Sequence, residues 1–351
     1  MLSLSASYKK DFKGSLFLSS LLHFLVDYLA VATLLKTSSG LDMDKVALLT
    51  LLYDFCAFAL QPLFGVLDDF FHREEIFVLA SIMLIALGFF YPAPWAIILV
   101  GVGNALFHVY AGKSILEETK TSAPLGVFIS TGTIGLTIAL NYSLPILSYI
   151  LVAMLVLLGL TYPFLRKKEK LLFQAKKEEE PAHKSSLLVF AFVCLGVLAR
   201  AYLGGVNFGE LTNRFLADLP ALDLCLFVFA GKLVGGFILD EFGATPLLML
   251  SAIFSLLGLA GPNALLGRGI FLLGINLPMA FTLFYASKSL PKLKGFGFGV
   301  LASLLFVGVL LAKYSEPLGL GSLFAISVTL IASNLLLGIA VEVKWSKGDG
   351  K

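Results

Sequence analysis

Long apolar runs, separated by short polar breaks, make up almost the whole chain. Each run is continuously apolar over about twenty residues, enough for a helix to cross a hydrocarbon layer of roughly 30 Å. Strands of a membrane barrel would instead alternate apolar and polar residues over about ten positions. The pattern therefore predicts membrane-spanning helices. Twelve spans are predicted, at residues 15–35, 46–67, 75–92, 95–115, 123–141, 144–165, 187–207, 220–239, 246–262, 265–287, 295–313 and 319–342.

The composition agrees with this pattern. Hydrophobic residues make up 58% of the 351 residues and charged residues only 14%, whereas a soluble domain carries about 25% charged residues. Such a chain needs the lipid bilayer as a partner. Backbone groups in a bilayer must be paired internally, so we predict an all-α membrane protein. The formal net charge of +3 is too small to indicate a nucleic-acid partner.

One connection differs from the other short loops. Residues 166–186, RKKEKLLFQAKKEEEPAHKSS, are long, charged and nearly central in the chain. A run of mixed charges is typical of a solvated segment. The sequence therefore predicts a six-helix bundle at 1–165, a cytoplasmic linker at 166–186 and a second six-helix bundle at 187–351.

The distribution of Lys and Arg predicts the orientation. Nineteen of the 26 basic residues lie in segments on the linker side of the predicted spans, and five lie on the opposite side. Basic residues concentrate in cytoplasmic loops. We expect a multi-pass protein of the cell (inner or plasma) membrane with both termini in the cytoplasm.

Several kinds of chemistry find no motif in the sequence. The three cysteines, Cys56, Cys194 and Cys225, are scattered singly, and no Cys/His spacing indicates a disulfide or a metal site. No G-x-x-x-x-G-K-[ST] phosphate loop is present, so ATP hydrolysis through that motif is not expected. We therefore predict neither a cofactor nor a metal.

A charged stretch after the second span, GVLDDFFHREE at residues 65–75, has an echo after the eighth. Gly65 and Asp69 recur 171 residues later as Gly236 and Asp240, in the stretch GFILDEFGA. Each glycine allows a neighbouring helix to come close. Asp69, four residues further on, can reach the N-terminus or an arginine of an adjacent helix, where its charge is favoured. The echo predicts two pseudo-symmetric halves.

These residues resemble the signature of the major facilitator superfamily of secondary transporters, G-x-x-x-D-R-x-G-R-R between the second and third helices. Gly65, Asp69 and Arg73 match, while Phe70 and His72 depart from the usual arginine and glycine. The weaker second copy is matched by Gly236, Asp240 and Gly243. The resemblance implies the twelve-helix fold of that superfamily. It also implies that these residues form a gate that holds the two halves together in the outward-facing state.

A narrower resemblance covers the fourth and fifth spans. GVGNALFHVYAGKSI at 101–115 and GVFISTGTIGLTIA at 126–139 look like the fosmidomycin-resistance-type efflux branch, with Val109 and Tyr110 in place of its proline and glutamate. The matching residues are Gly101, Gly103, Phe107, His108, Gly126, Phe128, Gly132 and Gly135.

Polar residues inside predicted spans are costly and are candidates for function. The first span carries His23 and Asp27, and the fourth carries Asn104 and His108, each pair four residues apart on one helix face. Arg200 lies in the seventh span and Asn276 in the tenth. By resemblance, helices 1, 4, 7 and 10 line the central cavity.

Two further charges, Asp54 and Lys232, lie in the second and eighth spans, which by resemblance face the boundary between the halves. Structural roles compete with functional ones for several of these residues. Asn104 could only pair with a neighbouring backbone, His108 could be a satisfied core histidine, and Asp54 and Lys232 could form a structural ion pair. Arg200 at this depth requires an anionic partner, either in the protein or in the solute.

The function predicted from these residues is transport and not enzymatic catalysis. We expect a monomeric, proton-coupled secondary transporter of a small organic solute, anionic or zwitterionic, with alternating access and a leaning to efflux. Asp27 with His23 would carry the proton, and Arg200 with Lys232 would hold an anionic group. Alternatives are uptake coupled to protons or sodium, a membrane enzyme acting on a diphosphate lipid at the acidic stretch, and a non-transporting scaffold or receptor.

Overall fold

The computed structural model describes residues 14–71, 73–142, 145–174, 186–205, 221–260, 264–315 and 322–346, and their regular structure is helical throughout. We number the helices by predicted span. They are α1 Gly14–Ser38, α2a Met43–Asp54, α2b Gln61–Phe71, α3 Glu74–Phe90, α4 Ala96–Glu118, α5 Ala123–Tyr142, α6 Pro145–Gln174, α7 Leu187–Gly205, α8 Ala221–Phe242, α9 Ala244–Ala260, α10a Ala264–Asn276, α10b Met279–Ser289, α11 Lys294–Ser315 and α12 Leu323–Ser346.

Each of the twelve predicted spans corresponds to one helix or to one interrupted helix. Within the described residues, nine helices are long and apolar enough to cross a membrane, and α3 and α9 are shorter apolar helices. The remaining helix, α8, has 22 residues and carries Lys232 near its middle. The prediction of an all-α membrane protein is confirmed.

Two spans that the apolar pattern predicts as continuous are interrupted. A π-helical turn at Phe55–Ala59 separates α2a from α2b. Such turns take in one extra residue and occur often at functional sites. The tenth span breaks before Pro278, whose ring removes a hydrogen-bond donor, and α10b begins at Met279. The residues at both interruptions are as apolar as the rest of their spans. The pattern of apolar and polar residues therefore does not reveal them.

The sixth helix is longer than its predicted span. We expected it to end at residue 165, but α6 continues to Gln174 and takes in the first part of the predicted linker. Lys, Glu, Leu and Gln are strong helix formers, so the helix continues past the apolar segment. Residues 175–185 of the predicted linker lie outside the described part of the chain.

The first six helices meet the last six along two pairs of helices. The segment α2b packs against α11, and α5 packs against α8. At the first pair a Cβ atom on Gly65 would overlap the backbone carbonyl of Gly295, so the two helix backbones are in direct contact there. At the second pair a Cβ on Gly236 would press against the backbone of Ser122 and Ala123.

Candidate functional site

A cluster of four polar side chains lies between α1 and α4. The Nε2 atoms of His23 and His108 are 2.8 Å apart. Asp27 places Oδ2 3.3 Å from Nε2 of His23 and Oδ1 3.6 Å from Nε2 of His108. Asn104 donates from Nδ2 to Oδ1 of Asp27 at 2.9 Å. The structure thus brings together the two i,i+4 pairs predicted from the sequence, and we call these four residues the His–Asp cluster.

The other nitrogen of each imidazole is fixed by the backbone. His23 donates from Nδ1 to the carbonyl oxygen of Phe128 at 2.7 Å, and His108 donates from Nδ1 to that of Asn104 at 2.9 Å. A carbonyl oxygen can only accept, so each Nδ1 carries the hydrogen. In the neutral rings both Nε2 atoms then present lone pairs to each other and to the carboxylate. This arrangement is electrostatically unfavourable unless a cation lies among them.

The cluster is buried at about the middle of the helices that carry it. Only 4% of His23 and 2% of Asn104 are exposed, and the side chains of Asp27 and His108 are 15% and 16% exposed. Asp27 lies 13 residues after the start of α1, which places it about 20 Å along that helix. A Cβ atom on Gly132 of α5 would overlap both Oδ2 of Asp27 and Nε2 of His23. The two donor atoms therefore lie directly against the backbone of α5.

Aromatic rings enclose one side of the cluster. The ring of His23 stacks on that of Phe128, with 4.5 Å between centroids and 29° between planes. The ring of Phe107 lies 6.0 Å from His23 by centroid. These two phenylalanines, both matched in the branch resemblance, confine the imidazole to one orientation.

A cation from the second half approaches the same region. Lys232, near the middle of α8, donates from Nζ to Oγ1 of Thr133 on α5 at 2.8 Å. Its charge lies within electrostatic range of Asp27 and His108. Within the described residues Asp54 forms no ion pair with Lys232, which is the structural pairing that the sequence left open. Asp54 is half-buried at the end of α2a, next to the π-helical turn.

Arg200 lies apart from the His–Asp cluster, among helices of the second half. Its guanidinium donates to the carbonyl of Ile275 at 2.8 Å, to Oγ of Ser251 at 3.0 Å and to Oδ1 of Asn334 at 2.9 Å. These acceptors are neutral, whereas the sequence led us to expect an anionic partner. Nη1 and Nη2 thus find acceptors without an anion, while Nε has no hydrogen-bond partner among the described residues. The three bonds join α7 to α9, α10a and α12.

Asn276 is also engaged within its own half. It is the last residue of α10a and donates from Nδ2 to the carbonyl of Leu272 at 2.8 Å, one turn back. A Cβ on Gly231 of α8 would lie 3.0 Å from the Cβ of Asn276. The described contacts of Asn276 therefore belong to the packing of α10a on α8, and none of them reaches the His–Asp cluster.

The two aspartates among the predicted gate residues lie at the N-termini of helices in the opposite half. Asp69 accepts the backbone N–H groups of Gly295 and Phe296, each at 2.9 Å, where α11 begins. Asp240 accepts the N–H groups of Ser122 and Ala123 at 2.8 and 2.7 Å, where α5 begins, and also the Ser122 hydroxyl at 2.8 Å. We call these the Asp69 contact and the Asp240 contact. Gly243 ends α8 with a positive φ of 85°, a conformation that favours glycine.

Lys113 lies beside the Asp69 contact, and the sequence analysis did not single it out. It is 1% exposed, and its Nζ lies 3.2 Å from Asp69, 3.6 Å from Asp68 and 3.8 Å from Glu117. It supplies the basic group that the superfamily signature carries at the position of Phe70, while Arg73 is exposed. A lysine inside the predicted fourth span was the available signal, because charges in spans are functional candidates. With Lys113 between them, Asp68 and Asp69 do not resemble an open acidic site for a diphosphate.

No family model and no curated protein matches the chain. Solved structures do match almost all of it. An E. coli fucose:proton symporter, FucP, is 13% identical over 95% of this chain and 98% of its own, with a TM-score of 0.61. FucP in the outward conformation, described as a major facilitator superfamily transporter, is 14% identical over 93% of this chain and 98% of its own, with a TM-score of 0.59. A bacterial homologue of the iron transporter ferroportin, in its outward-facing state, is 15% identical over 95% of this chain and 98% of its own, with a TM-score of 0.62.

These matches establish the fold. The chain has the architecture of the major facilitator superfamily, as the resemblance of its two charged stretches predicted. The matches carry nothing on the narrower resemblance to the fosmidomycin-resistance-type branch, which stays a prediction.

Proposed function

We propose that this protein is a proton-coupled secondary transporter of a small organic solute, working by alternating access between its two halves. The observation that carries the proposal is the His–Asp cluster. Two ring nitrogens and a carboxylate face one another in a buried place, with the remaining hydrogens of both rings directed at carbonyl groups. A proton shared among these atoms removes the repulsion between their lone pairs. The cluster is therefore suited to take up and release a cation during transport.

Asp27 with His23 forms the proton site in this proposal. The charged and titratable groups around it are His108 on α4, Lys232 on α8 and Tyr53 on α2a, all within electrostatic range of Asp27. Because Lys232 belongs to the other half, loading or emptying the site changes an electrostatic interaction across the boundary between the halves. That link is the physical basis for coupling proton uptake to the rocking motion.

The solute favoured by these charges is anionic or zwitterionic. The amine of Lys232 bonds only to a hydroxyl among its described partners, so it is available to a carboxylate or a phosphate. The sequence analysis gave Arg200 the leading part in this contact. We now assign that part to Lys232, because Arg200 is bonded to three oxygens of its own half.

The Asp69 and Asp240 contacts act as the gate in this proposal. Both join one half to the other at the ends of helices on the linker side, so this side opens only when both contacts separate. Each hydrogen bond to a charged carboxylate stabilises the closed arrangement by about 1.5–3 kcal/mol. Two such contacts give a closed state that the energy of solute binding can still overcome.

The fold leaves the cargo and the direction open. Among the similar solved structures, one is a fucose:proton symporter and another is a bacterial homologue of an iron transporter. Efflux, expected from the branch resemblance, requires proton and solute to move in opposite directions. Uptake by symport requires that they move together, and sodium could replace the proton in either case.

The test uses the full chain in proteoliposomes that contain a pH-sensitive dye. A panel of organic anions, zwitterions and cations is added, and the native chain is compared with Asp27→Asn. We expect one anionic or zwitterionic class to give a proton signal that Asp27→Asn abolishes, and the sign of that signal distinguishes symport from antiport. The control is Asp44→Asn, at an exposed carboxylate in the first turn of α2a. Solute movement with no proton signal in the native chain would overturn the coupling, and a repeat with a sodium gradient would identify that ion.

A further inference from the structure

The His–Asp cluster has a second property that proton coupling does not require. It holds two imidazole nitrogens and one carboxylate within 4.8 Å of one another, which is a ligand set for a metal ion. We propose that His23, His108 and Asp27 bind a divalent first-row transition metal ion such as Zn²⁺, Co²⁺ or Fe²⁺. This site was not predicted from the sequence, because its ligands come from two helices 85 residues apart.

The spacing of the donor atoms fits such an ion. Bonds to nitrogen and oxygen of about 2.1 Å in a tetrahedral arrangement place neighbouring donors about 3.4 Å apart. The observed separations are 2.8 Å between the two Nε2 atoms, 3.3 Å from His23 to Oδ2 of Asp27 and 3.6 Å from His108 to Oδ1. Movements of a few tenths of an ångström in the side chains would therefore bring all three donors into coordinating positions.

The hydrogen bonds behind the donors prepare them for a metal. Metal-bound histidines usually donate their other ring N–H to a carbonyl or carboxylate, which fixes the tautomer and aims the lone pair at the ion. Both histidines here do so, to the carbonyls of Phe128 and Asn104. Asn104 also holds the carboxylate of Asp27 through its Nδ2. Each of the three ligand side chains is thus held by a hydrogen bond before any ion arrives.

The chemistry of the donors selects the class of ion. Imidazole nitrogen favours Zn²⁺, Cu²⁺, Ni²⁺ and Fe²⁺, whereas Mg²⁺ and Ca²⁺ prefer sites made wholly of oxygen. A neutral pair of imidazoles with one carboxylate leaves a single positive charge after binding a divalent ion. The side chains of His108 and Asp27 are 16% and 15% exposed, so a water molecule or a group of the solute can reach the ion and complete the coordination.

The experiment measures metal binding directly, with the purified full chain, free of any histidine tag, in lipid nanodiscs. Co²⁺ is added and its visible absorption recorded, because imidazole–carboxylate ligation in a tetrahedral site gives bands that hydrated Co²⁺ lacks. Displacement by Zn²⁺ gives the affinity. We expect one ion per chain, little competition from Mg²⁺, and a loss of affinity of at least about 100-fold in His23→Gln, His108→Gln and Asp27→Asn.

Two further variants separate ligation from a structural role. The chain has four histidines, and substitution of the other two, His72→Gln and His183→Gln, is the matched control and should leave the Co²⁺ spectrum unchanged. His108→Cys keeps a metal ligand but changes its element, so we expect binding to persist with a new thiolate-to-cobalt band in the near ultraviolet. A ligand role predicts that band, whereas a purely structural role for His108 does not.

The proposal is overturned if native chain and His108→Gln bind Co²⁺ and Zn²⁺ equally, or if the control histidines account for the binding. Its outcome is independent of proton coupling. Metal binding without a proton signal in the liposome assay would support this site and remove the coupling, and a proton signal in chelator-treated buffer with no metal binding would do the reverse.

Discussion

Two buried ionic sites, one in each half, solve the problem of a charge within a membrane protein in opposite ways. Around Arg200 a cationic donor meets three oxygen acceptors of the protein itself, which take hydrogen bonds from Nη1 and Nη2. Around Asp27 the acceptors face one another without donors, apart from the amide of Asn104. Burial and charge are alike, so what separates a structural site from a binding site is whether the protein itself supplies the counterpart.

The largest expected effect is the loss of proton coupling when Asp27 is replaced. Asp27→Asn should lower the proton signal by at least about 100-fold, equivalent to about 2.7 kcal/mol. The amide can donate to the facing Nε2 atoms and so replaces the missing cation with a hydrogen bond. Thermal stability of the purified chain should therefore stay the same or rise. A marked fall in melting temperature would show that the carboxylate is structural.

Arg200→Met should have the converse result. Its removal leaves the acceptors on Ile275 and Asn334 without a donor, at a cost of about 3 kcal/mol in the free energy of unfolding. The expected observation is a clear drop in melting temperature with unchanged Co²⁺ affinity in the fraction that remains folded. Arg73→Met, at an exposed arginine, is the control and should leave stability unaltered. Loss of solute binding at full stability would return Arg200 to the transport site.

The gate contacts give a smaller and additive effect. Asp69→Asn and Asp240→Asn each weaken bonds to backbone N–H groups at a helix N-terminus, with an expected loss of about 1–2 kcal/mol apiece. The two contacts share no described partner, so the double variant should lose the sum of the two within about 0.5 kcal/mol. Thermal unfolding of the single and double variants measures this. If the double variant were as stable as either single variant, the two contacts would form and break together and their energies would not add.

The smallest effect concerns the cation across the boundary. Lys232→Gln removes a positive charge that lies within range of Asp27 while retaining a partner for Thr133. We expect Zn²⁺ affinity to rise by about 3- to 10-fold, consistent with one screened like charge. Titration of the two chains at low and high salt would check this, because the difference should shrink with salt. An unchanged affinity would place the lysine outside the field of the cluster.

Much of the architecture was predictable because it depends on local patterns. The apolar runs predicted twelve helices, and the recurrence of Gly65 and Asp69 at Gly236 and Asp240 indicated two related halves. A helix N-terminus was one of the two partners expected for Asp69. Likewise, the i,i+4 spacing of His23 with Asp27 placed both on one face of α1. Each of these inferences required only the geometry of one helix or the echo of one motif.

The remainder depended on contacts between segments distant in sequence. Nothing near Arg200 shows that Ser251 and Asn334 will supply its acceptors, so an anionic partner was the natural expectation. The pairing of His23 with His108 likewise needs the packing of α1 on α4. The π-helical turn and the extension of α6 were not predicted for a different reason. An apolar run fits a continuous helix as well as one with a π-helical turn, and the helix-forming residues after 165 fit a linker as well as a longer α6.

The gate contacts also have an unequal tolerance to mutation. One partner is a carboxylate, at Asp69 or Asp240, for which no other residue has both the charge and the length. The other partner is main-chain N–H, which every residue except proline provides. The sequence can therefore vary at Phe296 while the Asp69 contact persists. Gly295 lies too close to Gly65 to carry a side chain, and the Ser122 hydroxyl adds a bond to the Asp240 contact. A mutational scan should therefore find Asp69 and Asp240 intolerant of substitution, and Phe296, which offers only its main-chain N–H to Asp69, tolerant of it.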